Sequence, residues 1–212
     1  MMVGDGFTVT DPIHVLNIST GDKVFSAPRL YIEVNRGGRA NVVEDYVSFE
    51  SDTNLTNFVT EIKLDENAAL THCRLQREEV SSFNIGNSGV ALEKQAEYQA
   101  CFVSVGSKIA RQNVEINQLG ENVSCKFDGL AVLEGNQLVD LHSKVIHGVS
   151  NGKSSQTYKT ILGGRSRAVF NGQIYVSSQG HLTDASQSNK NLLLSNVCHV
   201  DTKPQLEIFA DD

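Results

Sequence analysis

Short stretches in which apolar and polar residues alternate recur along the whole chain, and this alternation constrains the fold more than any other feature. In residues 29–34 the apolar side chains are Leu30, Ile32 and Val34. The same pattern recurs in four later segments, at residues 58–64, 113–117, 123–127 and 205–208. Because a period of two places every second side chain on the same face of a strand, the pattern predicts many β-strands, each with one buried face.

Clusters of Gly, Asn, Asp and Glu separate these segments and predict turns, because Gly and Asn tolerate left-handed backbone. Their spacing suggests a repeat, since the interval from Asn67 to Asn122 is about twice the interval from Ala40 to Ala68. A repeat in the twenties, built of two short strands and their turns, is typical of a β-solenoid. An antiparallel sandwich is the alternative, and the scarcity of Asn-Gly hairpin turns makes it less favoured.

Composition and charge exclude several functional classes. The 212 residues carry 18 basic and 25 acidic side chains, a net charge of −7, and no basic stripe that would favour nucleic acid. No run of about 20 apolar residues predicts a membrane span, and no signal peptide is visible. The four cysteines are scattered and match no zinc or ferredoxin spacing, which predicts free thiols in a reducing compartment.

A few residues are weak candidates for chemistry. Alternation places Asp140, His142 and Lys144 together on one face of a strand, either as a row that handles protons or metal, or as a solvated outer face. Cys73 shares a face with Thr71 and Leu75, and Cys125 shares one with Val123 and Phe127, so both are predicted to be small core residues. The weak candidates for binding a metal are Cys73, Cys125, His142 and His147.

Two segments fit the strand pattern poorly. Residues 84–97 are the least β-like part of the chain and predict a loop or a wider turn of the solenoid. Residues 189–194, Asn-Lys-Asn followed by three leucines, predict a polar corner that leads into an apolar strand. In solenoids, asparagines at corners commonly stack in ladders, and that structural role is the default for Asn189 and Asn191.

The most specific motifs of the chain lie in its last quarter, at residues 158–162, 168–176, 183–185, 189–195 and 202–212. In these segments the chain resembles the SufB/SufD family, and within it the SufD branch. The middle of the chain is similar but more loosely, and the first hundred residues match mainly in pattern. The Phe170-Asn171-Gly172 sequence and the strand containing Asp140 and His147 resemble SufD more than SufB.

The resemblance implies an all-β fold, a flattened right-handed parallel β-helix with two strands per turn, which agrees with the solenoid pattern. It also implies a scaffold, not an enzyme, that pairs with a SufB-like subunit and a SufC-like ATPase in iron–sulfur cluster assembly. Residues 1–212 are then a single β-helix core without the family's flanking helical regions. The cluster is expected only transiently in the full complex and not on this chain. The implied compartment is the cytoplasm, or the plastid stroma in a plant or alga.

The same resemblance places the partner interface near the end of the chain, at Leu206, Ile208 and Phe209. Pro204 and the pair Asp211-Asp212 flank that strand. Because an open strand edge recruits another strand, the chain is predicted to form a homodimer, with a monomer as the alternative. A carbohydrate-acting β-helix enzyme resembling a polysaccharide lyase, and a structural β-solenoid adhesin, are the competing functions.

Overall fold

In the computed structural model, which describes residues 1–49 and 53–211, the chain is a parallel β-helix. The described residues form strands and turns without helix. The strands, in chain order, are β1 (Met2–Val3), β2 (Ile13–Ser19), β3 (Val24–Ser26), β4 (Arg29–Val34), β5 (Arg39–Ser48), β6 (Asn54–Leu64), β7 (Ala69–Gln76), β8 (Phe83–Leu92), β9 (Glu97–Ser104), β10 (Ile109–Gln118), β11 (Ser124–Leu133), β12 (Leu138–His147), β13 (Lys153–Leu162), β14 (Arg167–Val176), β15 (Asp184–Leu193) and β16 (His199–Ile208).

These strands stack into two facing parallel sheets with two strands per turn, so the predicted solenoid is confirmed and the sandwich is wrong. We call one sheet A; it follows the order β1-β4-β6-β8-β10-β12-β14-β16, with β3 also paired to β6. Sheet B follows the order β15-β13-β11-β9-β7-β5-β2. The repeat is not constant, because the connections between strands differ in length: the interval from Arg167 to its register partner His199 is longer than that from Phe83 to its partner Ile109.

One corner of the coil is built from residues with left-handed backbone, as the Gly and Asn clusters predicted. Asn67, Asn122 and Asn151 have φ values of 60°, 59° and 61°. Their amides donate to the carbonyl oxygens of Lys94, Ser150 and His181 in the next turn. Asn tolerates this conformation better than most residues, so the interval from Asn67 to Asn122 marks two turns of the coil.

The core lies between the sheets and is an apolar column built from in-register side chains. Ile32, Ile62, Val90, Ile116, Val145 and Ile174 stack through sheet A and are all at most 3% exposed. Farther along, an aromatic pair spans the interior between the two sheets, with the ring centroids of Tyr158 and Phe170 5.2 Å apart. Each strand therefore buries its inner face only because the neighbouring turns cover it.

Three sequence predictions about strands are wrong. Most of residues 84–97 form β8 and not a loop, because its inward residues Asn84, Gly86 and Ser88 are small or polar and hide the alternation. Residues Asn189 to Asn191 lie inside β15 and not at a corner. Pro204 lies within β16, paired with Gly172, and not beside the strand. Asp212 lies outside the described residues.

No helix in residues 1–49 and 53–211 combines the length and apolar character that crossing a membrane would require.

Candidate functional site

The interior of the first half of the β-helix contains a buried ionic cluster, which we define by Glu44, His72, Arg74 and Glu78. All four side chains point inward and are at most 2% exposed. Glu44 and His72 lie on β5 and β7, with His72 Nε2 3.1 Å from Glu44 Oε2. The other ring nitrogen, His72 Nδ1, lies 3.0 Å from the hydroxyl of Tyr98 on β9.

Hydroxyl groups complete the coordination of the Glu44 carboxylate. Thr60 on β6 donates to Glu44 Oε1 at 2.7 Å, and the Tyr46 hydroxyl donates to the same oxygen. Burial opposes ionisation of Glu44, but the hydrogen bond from His72 and the charge of Arg74 outweigh it and lower its pKa to about 2. Since an unfolded glutamate titrates near 4.5, the stability that Glu44 contributes is present above that pH and is lost as pH falls toward 2.

Arg74 is the cation of the cluster; two aromatic rings and two amide oxygens contact it, while its Nε has no hydrogen-bond partner among the described residues. Its guanidinium carbon lies 3.8 Å from the centre of the Phe58 ring and 4.8 Å from that of Tyr46. Its Nη1 donates to Gln112 Oε1 and its Nη2 to Asn84 Oδ1, both at 2.7 Å. A desolvated guanidinium over an aromatic face is worth about 2 kcal/mol or more, in addition to its hydrogen bonds.

The second carboxylate, Glu78, is satisfied in the same way by neutral donors. Thr56 donates to Glu78 Oε1 at 2.6 Å, and Asn84 and Gln76 donate to Oε2 at 2.7 and 3.2 Å. The cluster is thus a hydrogen-bonded network of buried ionisable side chains without exposure to solvent. It can hold the two sheets in register, but a substrate could not reach it from outside.

This cluster was missed by sequence reasoning, which placed Cys73 in the core. In β7 it is His72, Arg74 and Gln76 that face inward, and Cys73 faces outward and is partly exposed. The prediction for Cys73 is wrong because the inward-facing side of β7 is mostly polar, so the more apolar set of alternating residues faces outward. The cluster could have been predicted by aligning alternate residues of two neighbouring strands. The residues of β7 are Leu70, His72, Arg74 and Gln76, and their register partners on β5 are Ala40, Val42, Glu44 and Tyr46.

Two of the weak metal candidates, Cys125 and His147, share neighbours in the interior. Gln118 Nε2 donates to Cys125 Sγ at 3.3 Å, and His147 Nε2 lies 2.9 Å from the Ser154 hydroxyl. Ser154 is the register partner of Cys125 on the next strand of sheet B. The prediction that Cys125 is a buried core residue is confirmed.

Both groups are electrically neutral in the folded chain. Burial raises the pKa of the Cys125 thiol to about 11, against a smaller opposing effect of the Gln118 hydrogen bond. Burial also lowers the pKa of His147 to about 4. A buried neutral thiol is a poor nucleophile, and the His147 Nδ1 atom on the other side of this pair is buried without a hydrogen-bond partner among the described residues.

The shifted pKa of His147 predicts a pH-dependent stability. An unfolded histidine binds a proton near pH 6.5, whereas folded His147 binds it only near pH 4. We therefore expect the free energy of unfolding to fall by up to about 3 kcal/mol as pH is lowered through that window. Urea unfolding at a series of pH values should show this slope, and His147→Gln should reduce it.

The matched control is His142→Gln, which removes an imidazole from the outer face of the same strand. It should keep the slope between pH 6.5 and 4 that burial of His147 produces. A slope equally steep in wild type and in His147→Gln would contradict the assignment.

The remaining candidates lie on the outer face of sheet A, as one of the two interpretations of their alternation predicted. Asp140 Oδ2 accepts from Arg111 at 2.7 Å, and His142 Nε2 lies 2.9 Å from Asp140 Oδ1. His142 and Lys144 line a shallow groove of about 450 Å³. His142 and His147 face opposite sides of β12, so the structure does not bring them together.

Within residues 1–49 and 53–211, no group of three or more His, Cys, Asp or Glu side chains has the arrangement of a metal site. The four cysteines form no disulfide: Cys125 and Cys198 are buried, and Cys73 and Cys101 reach the surface. The weak metal candidates therefore remain predictions without a common ligand set.

The last turn has a different character, because its inward side chains are uncovered. Leu206 and Ile208 pair in register with Ile174 and Val176, which are 3% and 4% exposed. They continue the same inward columns, yet they are 63% and 60% exposed. Phe209 is 58% exposed, with its ring centroid 5.3 Å from that of Tyr175.

The two stacked parallel sheets, with a buried ionic cluster between them, place the chain in the class of β-solenoid proteins. The family model described as "SUF system FeS cluster assembly, SufBD core domain" matches residues 17–212. The chain therefore belongs to the SufBD family.

Relatives in three organisms agree with this assignment. The chain is 34% identical to the iron–sulfur cluster assembly SufBD family protein slr0076 of Synechocystis, over 95% of this chain and 47% of that protein. It is 35% identical to the chloroplastic protein ABCI7 of Arabidopsis thaliana, over 99% and 46%. It is 32% identical to the iron–sulfur cluster assembly protein SufD of Escherichia coli, over 94% and 48%. The chain thus spans about half the length of these curated relatives.

Proposed function

We propose that this chain is the β-helix scaffold of a SufD-type subunit in iron–sulfur cluster assembly. The observation that carries the proposal is the match of the SufBD core domain to residues 17–212, together with the relative named SufD. The role is non-catalytic: the subunit presents surfaces to its partners. No observation on the described residues favours the alternative of a carbohydrate-acting β-helix enzyme.

The proposed partners are a SufB-like subunit and, in the full-length protein, a SufC-like ATPase. The exposure of Leu206 and Ile208 supports the first, because a second β-helix could continue their inward columns, with Phe209 beside them on the opposite face. No described residue is assigned to the ATPase. The complex would work in the cytoplasm, or in the plastid stroma if the source is a plant or alga.

An iron–sulfur cluster would be carried transiently by the full complex and not by the core described here. Two of the four cysteines, Cys125 and Cys198, are buried in the interior. Burial raises the pKa of Cys125 to about 11, so forming the thiolate that iron requires is unfavourable there. The remaining two thiols supply half of the four ligands that such a cluster ordinarily needs.

Co-purification from the source organism tests the proposal. The native-length protein carrying an affinity tag should recover a second SufBD family subunit and an ABC-type ATPase in stoichiometric amounts, identified by mass spectrometry. Replacing Leu206 and Ile208 by lysine should reduce recovery of the SufB-like subunit at least tenfold, because charge is placed in an apolar contact. Recovery of neither partner by the folded wild-type protein would contradict the proposed function.

A further inference from the structure

Two surface thiols occupy directly opposite positions on neighbouring parallel strands. Cys73 on β7 pairs in register with Cys101 on β9. Cys73 is partly exposed and Cys101 is exposed, and both are free thiols. Because in-register residues of a parallel pair point to the same side, the two sulfurs project from the same outer face of sheet B.

The spacing of neighbouring strands fits a disulfide, although not ideally. Adjacent strands lie about 4.8 Å apart, within the range of roughly 4.4–6.8 Å that separates the Cα atoms of bonded cysteines. The Cβ atoms of a disulfide are closer, at about 3.8 Å, so closure must draw the two strands together locally. A bond formed under such strain is more easily reduced than an ordinary structural disulfide.

We propose that Cys73 and Cys101 form a reversible, redox-sensitive dithiol site that closes to a disulfide with low-molecular-weight disulfides such as oxidised glutathione. The thiolate of the more exposed Cys101 attacks one sulfur of the oxidant and expels one glutathione thiolate, leaving a mixed disulfide. The Cys73 thiolate then attacks Cys101 Sγ and expels the second. Each protein sulfur gives up one electron and one proton, and the oxidant becomes two molecules of reduced glutathione.

The bond would connect β7, which carries His72 and Arg74 of the buried ionic cluster, to β9, which carries none of its four members. Cys73 lies between His72 and Arg74, and His72 contacts Tyr98 on the strand of Cys101. Closing the dithiol would tie one turn of the coil to the next directly outside this contact. The site is independent of the proposed partner surface, because it lies on sheet B in the first half of the chain.

The local charges set the conditions for the reaction. Desolvation raises the pKa of the Cys73 thiol, and the charge of Cys101 adds to this effect. Desolvation and the Asp128 carboxylate raise the pKa of Cys101, while Lys126 opposes them. A mildly alkaline buffer therefore supplies the thiolates needed for exchange.

The test treats the folded chain with oxidised glutathione and counts its thiols after denaturation. Wild type should fall from four free thiols to two, with a loss of two hydrogens in intact mass and no glutathione adduct. Tryptic peptides containing Cys73 and Cys101 should be recovered as one crosslinked species. An excess of reduced glutathione should restore all four thiols.

Single substitutions supply the matched controls. Cys73→Ser and Cys101→Ser should each leave one reactive surface thiol, which should stop at the mixed disulfide with glutathione. Four free thiols after treatment, two glutathione adducts on wild type, or a disulfide between two chains would overturn the proposal. So would an intramolecular bond that reduced glutathione fails to open.

Discussion

Replacing Arg74 by alanine should lower the free energy of unfolding by about 3–5 kcal/mol, because it leaves the buried Glu44 carboxylate without the positive charge that favours its ionised form. The substitution also removes the contact with the Phe58 ring and leaves the amide oxygens of Gln112 and Asn84 without their donor. Urea unfolding followed by far-UV circular dichroism measures the change, since the chain contains no tryptophan.

The matched control is Arg111→Ala, on the outer face of sheet A. Its ion pair with Asp140 is partly exposed, and pairs of this kind contribute at most about 1 kcal/mol. A loss for Arg74→Ala no larger than that of Arg111→Ala would contradict the importance of the buried cluster.

A double substitution separates the cost of an unpaired charge from the cost of lost packing. Glu44→Gln combined with Arg74→Met removes one charge of each sign while keeping volume. We expect the pair to be more stable than the sum of the two single changes predicts, because neither charge then remains without its partner. Strictly additive losses would show that Glu44 and Arg74 act independently, against the charge contact that lowers the pKa of Glu44.

The buried cluster also explains how far sequence alone predicts this fold. Alternation identified strands wherever the inward residues are apolar, as in β4 and β10. A period of two in apolar residues appears in the sequence only when the buried face of the strand is apolar. Alternation failed at β8, whose inward Gly86 leaves space for Phe58, since a Cβ at Gly86 would overlap the Phe58 ring. In β7, alternation predicted the wrong inward face, because His72 and Arg74 lie in the interior and form hydrogen bonds there.

Among the candidate residues, the sequence predicted the burial of Cys125 from its neighbours but did not predict the contacts that depend on the register of the strands. Cys125 was placed correctly because its neighbours Val123 and Phe127 are both core residues. Its proximity to His147 could not be predicted, because it depends on the exact length of each turn, and that length varies along the coil. The register of Cys73 with Cys101 escaped prediction for the same reason, since only the fold shows that the interval between them is one turn at that point.

The 212-residue chain should form a homodimer in solution through its last turn. Leu206 and Ile208 continue buried columns but are themselves exposed, and β16 is the outermost strand of sheet A. Unpaired strand edges recruit a second strand, and two-fold pairing satisfies both copies at once. The uncovered apolar side chains would then be buried between the copies.

Pro204 works against this association, because it lies within β16 and has no amide hydrogen to donate. A monomer protected by Pro204 and by the charge of Asp211 is therefore the competing outcome. Two opposing contributions to the free energy of association decide between dimer and monomer. Burial of apolar surface favours the dimer by about 25 cal/mol per Å², and the loss of entropy on association opposes it. Side chains as large as Leu206, Ile208 and Phe209 favour the dimer.

Light scattering across a concentration series distinguishes the two outcomes. Wild type should approach twice the monomer mass of 23.1 kDa as concentration rises, and the double substitution of Leu206 and Ile208 by lysine should remain at one mass. The matched control is Val80→Lys, at a residue that is 64% exposed but lies away from the last turn, and it should dimerise like wild type. A wild-type chain that stays monomeric at high concentration, or a dimer that survives both lysines, would show that the last turn does not pair with its copy.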